Sequence, residues 1–260
     1  MTERVRLGGM ALANGVLVHG PRAWACAVRT ADGELKVVAR RKRFRAANVR
    51  SPLLRGPARI AEVFALLPQV KRALPEAELP MERPRVLASM AGSAIVLRGL
   101  RASGLRPAAR ELITALLSVA PAAFALRGGE LAAYHGAEHM SIGGYEHGGA
   151  RPKEHERCGS HLLAPMLITT AIGNVAAERV PARFRPAAKL AGAVGSIAAS
   201  VEIFGWMTRN PDHVVSRALA KPGHELQHRV GTREPTPAQV EVAEAALQAC
   251  LQLEETGLEP

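Results

Sequence analysis

The hydrophobic positions change period along the chain, and the predicted structure changes with them. Residues 8–45 carry short apolar runs and read as a small β unit. Trp24 to Thr30 and Leu35 to Arg41 flank Ala31-Asp32-Gly33-Glu34. An Asp-Gly pair between two apolar-bearing runs is a hairpin signal. The run Met10 to His19 is expected to add a third strand. Gly8, Gly9, Gly15 and Gly20-Pro21 punctuate the region and suggest tight turns or close backbone approach. They do not form the spaced glycine fingerprint of a dinucleotide site.

Beyond this unit the pattern becomes helical. Arg55 to Leu74 predicts a helix opened by Gly56-Pro57, and Pro75, Pro80 and Pro84 then mark a linker. Four apolar stretches follow, Val86 to Leu97, Leu112 to Leu126, Cys158 to Ala177 and Leu190 to Met207. The third has about 20 residues without a formal charge, roughly the length of a bilayer-spanning helix. Glu202 interrupts the fourth; it is either turned inward with a functional meaning or a sign that the segment never enters lipid. A buried helical bundle accounts for the same alanine and glycine content. At the end of the chain, Thr236-Pro237-Ala238-Gln239 is a capping-box start, and Val240, Ala243, Leu247, Cys250 and Leu251 recur on one face. These predict an amphipathic helix from Pro237 to Leu253.

Composition sharpens this picture. Aromatic residues make up only 3% of the 260 positions, so alanine, leucine and valine must do most of the packing, which helices accomplish readily. Three cysteines, Cys26, Cys158 and Cys250, are few, odd in number and far apart, which argues against a disulfide framework. The N-terminus has no apolar run of the kind a secretory signal peptide needs. The net charge of +11 is uneven: residues 1–110 hold 21 Lys/Arg against 7 Asp/Glu, and residues 111–260 hold 13 against 16. A positive region ahead of apolar segments fits retention on the cytoplasmic side of a membrane. The densest basic run, Arg40 to Arg50, contains a lone Phe44 and no stacking platform, so nucleic acid is not an expected partner.

The chemistry concentrates in one stretch. Five of nine histidines, His135, His139, His147, His155 and His161, fall between Tyr134 and His161, together with Glu138, Glu146 and Cys158. If Leu131 to Met140 is helical, His135, Glu138 and His139 lie at i, i+3 and i+4 on one face. This H-x-x-E-H pattern is the inverted relative of the zincin motif. Imidazoles suit zinc and other borderline divalent ions, and a carboxylate beside them can be a ligand or a general base. Two histidines seldom complete a site, and His155-Glu-Arg-Cys158 offers an imidazole and a thiolate across a Gly-Gly loop. The candidate metal ligands are therefore His135, His139, His155 and Cys158, with Glu138 and Glu146 as candidate catalytic carboxylates. The bland alternative is a polar helix and loop exposed to water. His224 and His228 stand at helical spacing and read as surface residues.

Several blocks together resemble a bacterial family of unknown function, the YqhQ-like proteins. They are the opening Gly8-Gly9-Met-Ala-Leu-Ala-Asn-Gly15-Val16, the centre Tyr134-His135-Gly136-Ala137-Glu138-His139 with Tyr145-Glu146 and His155-Glu-Arg157-Cys158-Gly159, and the end Thr232-Arg233-Glu234-Pro235. Met140, Asn14 and Glu156 depart from the family's usual residues. The resemblance implies predicted metal dependence, carried by His135, Glu138, His139, His155 and Cys158, and a membrane-integral character.

The resulting expectation is a mainly α protein with a small N-terminal β unit, an α+β fold with a helical, membrane-associated core. Residues 1–50 form the β unit, 51–85 a helix and Pro-rich linker, and 86–210 the apolar helical core with the metal motif at 134–161. Residues 211–260 form a connection and a C-terminal helix packed on the N-terminal unit. The expected cofactor is a divalent metal, zinc by its ligands. The expected partners are membrane lipids and a small-molecule or peptide substrate. The expected place is the cytoplasmic membrane, with the N-terminal region cytoplasmic. Two functions fit: a metal-dependent hydrolase, and a non-catalytic membrane scaffold or regulator around a structural metal or polar centre.

Overall fold

The computed structural model describes residues 4–101, 103–105, 113–114, 117, 120–122, 124–126 and 129–256. The apolar stretch Leu112 to Leu126 lies largely outside the described residues. The fold is mainly helical with one antiparallel sheet. The chain divides into two compact units: residues 1–43, 67–155 and 228–260 in the first, 44–66 and 156–227 in the second.

The first unit is built on a four-stranded meander, β1 (Gly8–Ala11), β2 (Gly15–His19), β3 (Ala23–Arg29) and β4 (Leu35–Arg41), in that spatial order. The run Met10 to His19, expected as one strand, is two. Leu12 N–H donates to the Gly15 carbonyl at 2.8 Å, folding the run back so that Met10 pairs with Leu17. β3 explains how a chain poor in aromatics packs a sheet. Ala23, Ala25 and Ala27 point to one face, and their small side chains let helices come close. Onto that face pack α3 (Glu130–His147), through Leu131, Tyr134 and Ala137, and α7 (Pro237–Thr256), through Val242, Ala243, Ala246 and Cys250.

The capping box forms as the sequence predicts. Thr236 N–H donates to Gln239 Oε1 at 2.9 Å, and Gln239 N–H lies 3.4 Å from Thr236 Oγ1. The Gln239 amide also donates to Glu130 Oε2 at 2.7 Å, joining the first turns of α7 and α3. The cysteines are free, and burial pushes the Cys26 and Cys250 thiols up to about 12, leaving both unreactive.

One histidine of this unit makes its stability pH-dependent. Partial burial and the Lys42 ammonium, 3.0 Å from Nδ1, lower the His19 pKa to about 3 from an ordinary 6.5. Between those values the unfolded chain binds a proton that the fold refuses, so stability is full above pH 6.5 and is lost as pH falls. Urea unfolding of the parent should weaken between pH 7 and 5 by up to about 1.4 kcal/mol per pH unit. His19→Asn should flatten that part of the slope.

The second unit is helical. It contains the start of α1 (Pro52–Ala73), then α4 (Leu163–Glu178), α5 (Arg185–Arg209) and α6 (Val214–Leu226); α2 (Pro84–Arg101) belongs to the first. α1 begins three residues before the expected Arg55. Pro52 takes the first helical position, where its missing N–H costs nothing, and the Ser51 carbonyl accepts from Arg55 N–H at 2.8 Å.

α4 and α5 meet through small and hydroxylated residues, with Thr169 Oγ1 2.9 Å from Ser200 Oγ and Gly173 facing Gly192. Glu202 is held by both its oxygens on the Arg55 guanidinium, so its charge does not stand alone in the apolar stretch. Two segments, Gly159–Glu178 and Ala182–Arg209, are long and apolar enough to cross a membrane. Their outer faces carry the exposed Ile168, Ile172, Val175, Leu190 and Val194.

Candidate metal centre

α3 carries the centre because its sequence is a helix with few side chains to spare. Alanines and glycines occupy the positions that must touch neighbours, and the ligand-type residues share the remaining face. At Gly136 a Cβ would stand 2.2 Å from the Arg233 carbonyl oxygen, so only glycine admits the segment that runs alongside. That segment is the π-helical turn Gln227–Gly231 and the residues after it, anchored by Arg233 N–H on the Ala132 carbonyl at 2.9 Å. α3 ends at Gly148, whose φ of 77° makes the left-handed cap from which the chain turns back.

The returning chain and the π turn fix the two imidazoles of α3. His135 Nδ1 lies 2.7 Å from the Gly231 carbonyl oxygen, and His139 Nδ1 lies 2.6 Å from that of Lys153. A carbonyl only accepts, so each Nδ1 carries the proton and, in the neutral ring, each Nε2 carries the lone pair. Both Nε2 atoms approach the same carboxylate, 3.9 and 3.8 Å from Glu138 Oε2. The two rings are 4.3 Å apart between centroids. The positions are enclosed: His139 is 2% and Glu138 6% exposed.

Glu138 is seated by the sheet. A Cβ at Gly9 of β1 would fall 2.1 Å from Glu138 Oε1, so the glycine is the space the carboxylate occupies. Burial raises the Glu138 pKa, with the Glu146 charge adding to it and His135 and His155 opposing it. A cation would offset the same desolvation.

The other candidates lie close by in the chain. His155, on the returning segment, packs against α3 where Gly143 has no side chain, its Cδ2 3.3 Å from where a Cβ would be. Its Nε2 is 3.2 Å from Glu146 Oε2, and its ring centroid is 5.5 Å from that of His139. His135, His139 and Cys158 form a group that could hold a metal ion, each offering one ligand atom, with those atoms all within 4.8 Å of one another. His161 is buried elsewhere, its Nδ1 3.4 Å from the Gln227 amide. His147 and His224 are exposed, and His228 is paired with Glu154 at 2.9 Å.

The donor set fits a divalent cation on grounds of chemistry. Metal-binding histidines characteristically donate their second ring N–H to a carbonyl or carboxylate, which fixes tautomer and orientation. His135 and His139 both meet that condition, and a thiolate with imidazoles favours zinc over magnesium or calcium. Sequence reasoning missed Lys153 and Gly231, because any residue supplies a carbonyl. Gly9 did leave a signal, the unusual glycine pair at the start of the sheet.

Neither a curated protein nor a solved structure matches the chain. Residues 130–253, from the first residue of α3 into α7, match the family model described as "Protein of unknown function (DUF1385)", and to that uncharacterised family this part of the chain is similar.

Proposed function

We propose that the chain is a membrane-associated protein whose central motif holds a divalent cation, with zinc the ion its donors suit, and uses it in hydrolysis. The observation that carries the reading is the pair of Nδ1-anchored imidazoles whose Nε2 atoms approach one buried carboxylate. His135, His139 and Cys158 would hold the ion. A cation held there supplies Lewis-acid polarisation of a substrate oxygen. Glu138, fixed against both imidazoles, takes a proton from the attacking water and returns it to the leaving group. Glu146 orients His155. The substrate is a small molecule or a peptide, admitted beside α3.

A second reading, a closed structural centre in a membrane scaffold, draws support from the low exposure of His139 and Glu138. The two differ in whether a coordination position stays open. The test is to load the protein with cobalt and add acetohydroxamate. A shift in the visible spectrum with cobalt retained supports the hydrolase; an unchanged spectrum with cobalt retained supports the structural centre.

The membrane part rests on the exposed apolar faces of α4 and α5. A lipid bilayer covers such faces at no desolvation cost, whereas water does not. The N-terminal basic surplus then lies at the cytoplasmic surface. The protein is expected in the membrane fraction after a carbonate wash. Replacing Ile168, Ile172, Leu190 and Val194 with serine should release it; a parent protein found wholly in the soluble fraction would refute this part.

A further inference from the structure

The ligand-type side chains of the centre outnumber the needs of one ion. A tetrahedral zinc takes about four donors, whereas His135, His139, Cys158, Glu138, His155 and Glu146 all cluster here. They fall into two sets. The first is His135, His139 and Cys158, whose ligand atoms come together. His155 is outside that set, with its Nε2 3.2 Å from Glu146 Oε2. Glu138 stands between the sets: Oε2 is within 3.9 Å of both imidazoles of the first, and the carboxylate feels the charges of His155 and Glu146 in the second.

Charge points the same way. A thiolate and two carboxylates bring more negative charge into this enclosed place than one divalent cation neutralises, and uncompensated buried charge is costly. Resting on the reading that the motif binds a divalent cation at all, we propose that the centre holds two: one on His135, His139 and Cys158, a second on His155 and Glu146, with Glu138 shared between them. Two-ion sites with separations of about 3.5–4 Å clamp both the attacking and the leaving oxygen of a displacement. The second ion would make Glu146 and His155 ligands rather than an orienting pair.

The test is stoichiometry. The full-length protein is stripped with chelator and dialysed against zinc alone, and bound zinc per chain is measured by elemental analysis. Two equivalents are expected for the parent and one for Glu146→Gln/His155→Asn. One equivalent in the parent overturns the second site and leaves the first. No bound zinc removes the reading on which both depend. A measurement on the unaltered chain guards against a variant that misfolds: the protein loaded with manganese should show the paramagnetic resonance of an exchange-coupled pair. The six-line pattern of isolated ions at full loading would overturn the proposal.

Discussion

Replacing His135 and His139 together with alanine is expected to weaken zinc binding by more than about 100-fold while the protein stays folded. Loss of an outer partner of a metal ligand already costs about 10–100-fold in affinity, and here two ligands disappear. The fold should survive because alanine favours the helix and because the core contacts of α3 are made by Leu131, Tyr134, Ala137 and Ile142. What is lost on that side is two hydrogen bonds, to Gly231 and Lys153, each about 1 kcal/mol. Competition against a zinc-sensitive dye reads the affinity, and circular dichroism reads the fold. His224→Ala, on the exposed face of α6, should leave zinc binding unchanged. Equal affinity in the double variant and the parent would mean that the imidazoles of α3 hold no ion.

Gly9→Ala is the second large effect, because it tests the seat of Glu138 rather than the ligands. The added methyl would stand 2.1 Å from Oε1, 2.5 Å from Cδ and 2.6 Å from Cγ of that residue. β1 cannot retreat, since Gly9 pairs with Val18 in the sheet. Glu138 lies in the middle of α3 and is almost wholly enclosed, so it has little room to move. Overpacking of this kind costs about 1–3 kcal/mol, and zinc affinity should fall with it as the carboxylate is displaced. Gly92→Ala is the matched control: nothing lies within 4 Å of the added methyl, and a helical glycine replaced by alanine should be neutral or stabilising. Urea unfolding of the two variants separates a local clash from a general effect of losing glycine.

The parts of this structure that were legible in the sequence are those set by local spacing. The i, i+3, i+4 arrangement of His135, Glu138 and His139 needs only a helix, and α3 supplies it. Asp32-Gly33 turns β3 into β4, with Gly33 at φ 86°, and Thr236 with Gln239 opens α7. The illegible parts depend on groups far apart in the chain or on backbone alone. No side-chain pattern announces that the Lys153 and Gly231 carbonyls will hold the imidazoles. The spacing of His155 and Cys158 resembles a ligand pair, but the segment between them is irregular, so three residues of separation do not fix where either side chain points. The fold of Met10 to His19 into two strands was hidden for a similar reason. A continuous apolar run reads as one element until the Leu12–Gly15 bond bends it. Glu202 was ambiguous until Arg55, 147 residues earlier, supplied its partner.

The central claim is that His135 and His139 place two imidazole nitrogens on one divalent cation. Zinc-edge X-ray absorption on the protein loaded with a single equivalent of zinc addresses it most directly. The account predicts imidazole scattering with nitrogen at about 2.0–2.1 Å and a sulfur neighbour at about 2.3 Å from Cys158. A spectrum with oxygen neighbours alone and no imidazole signature would contradict it.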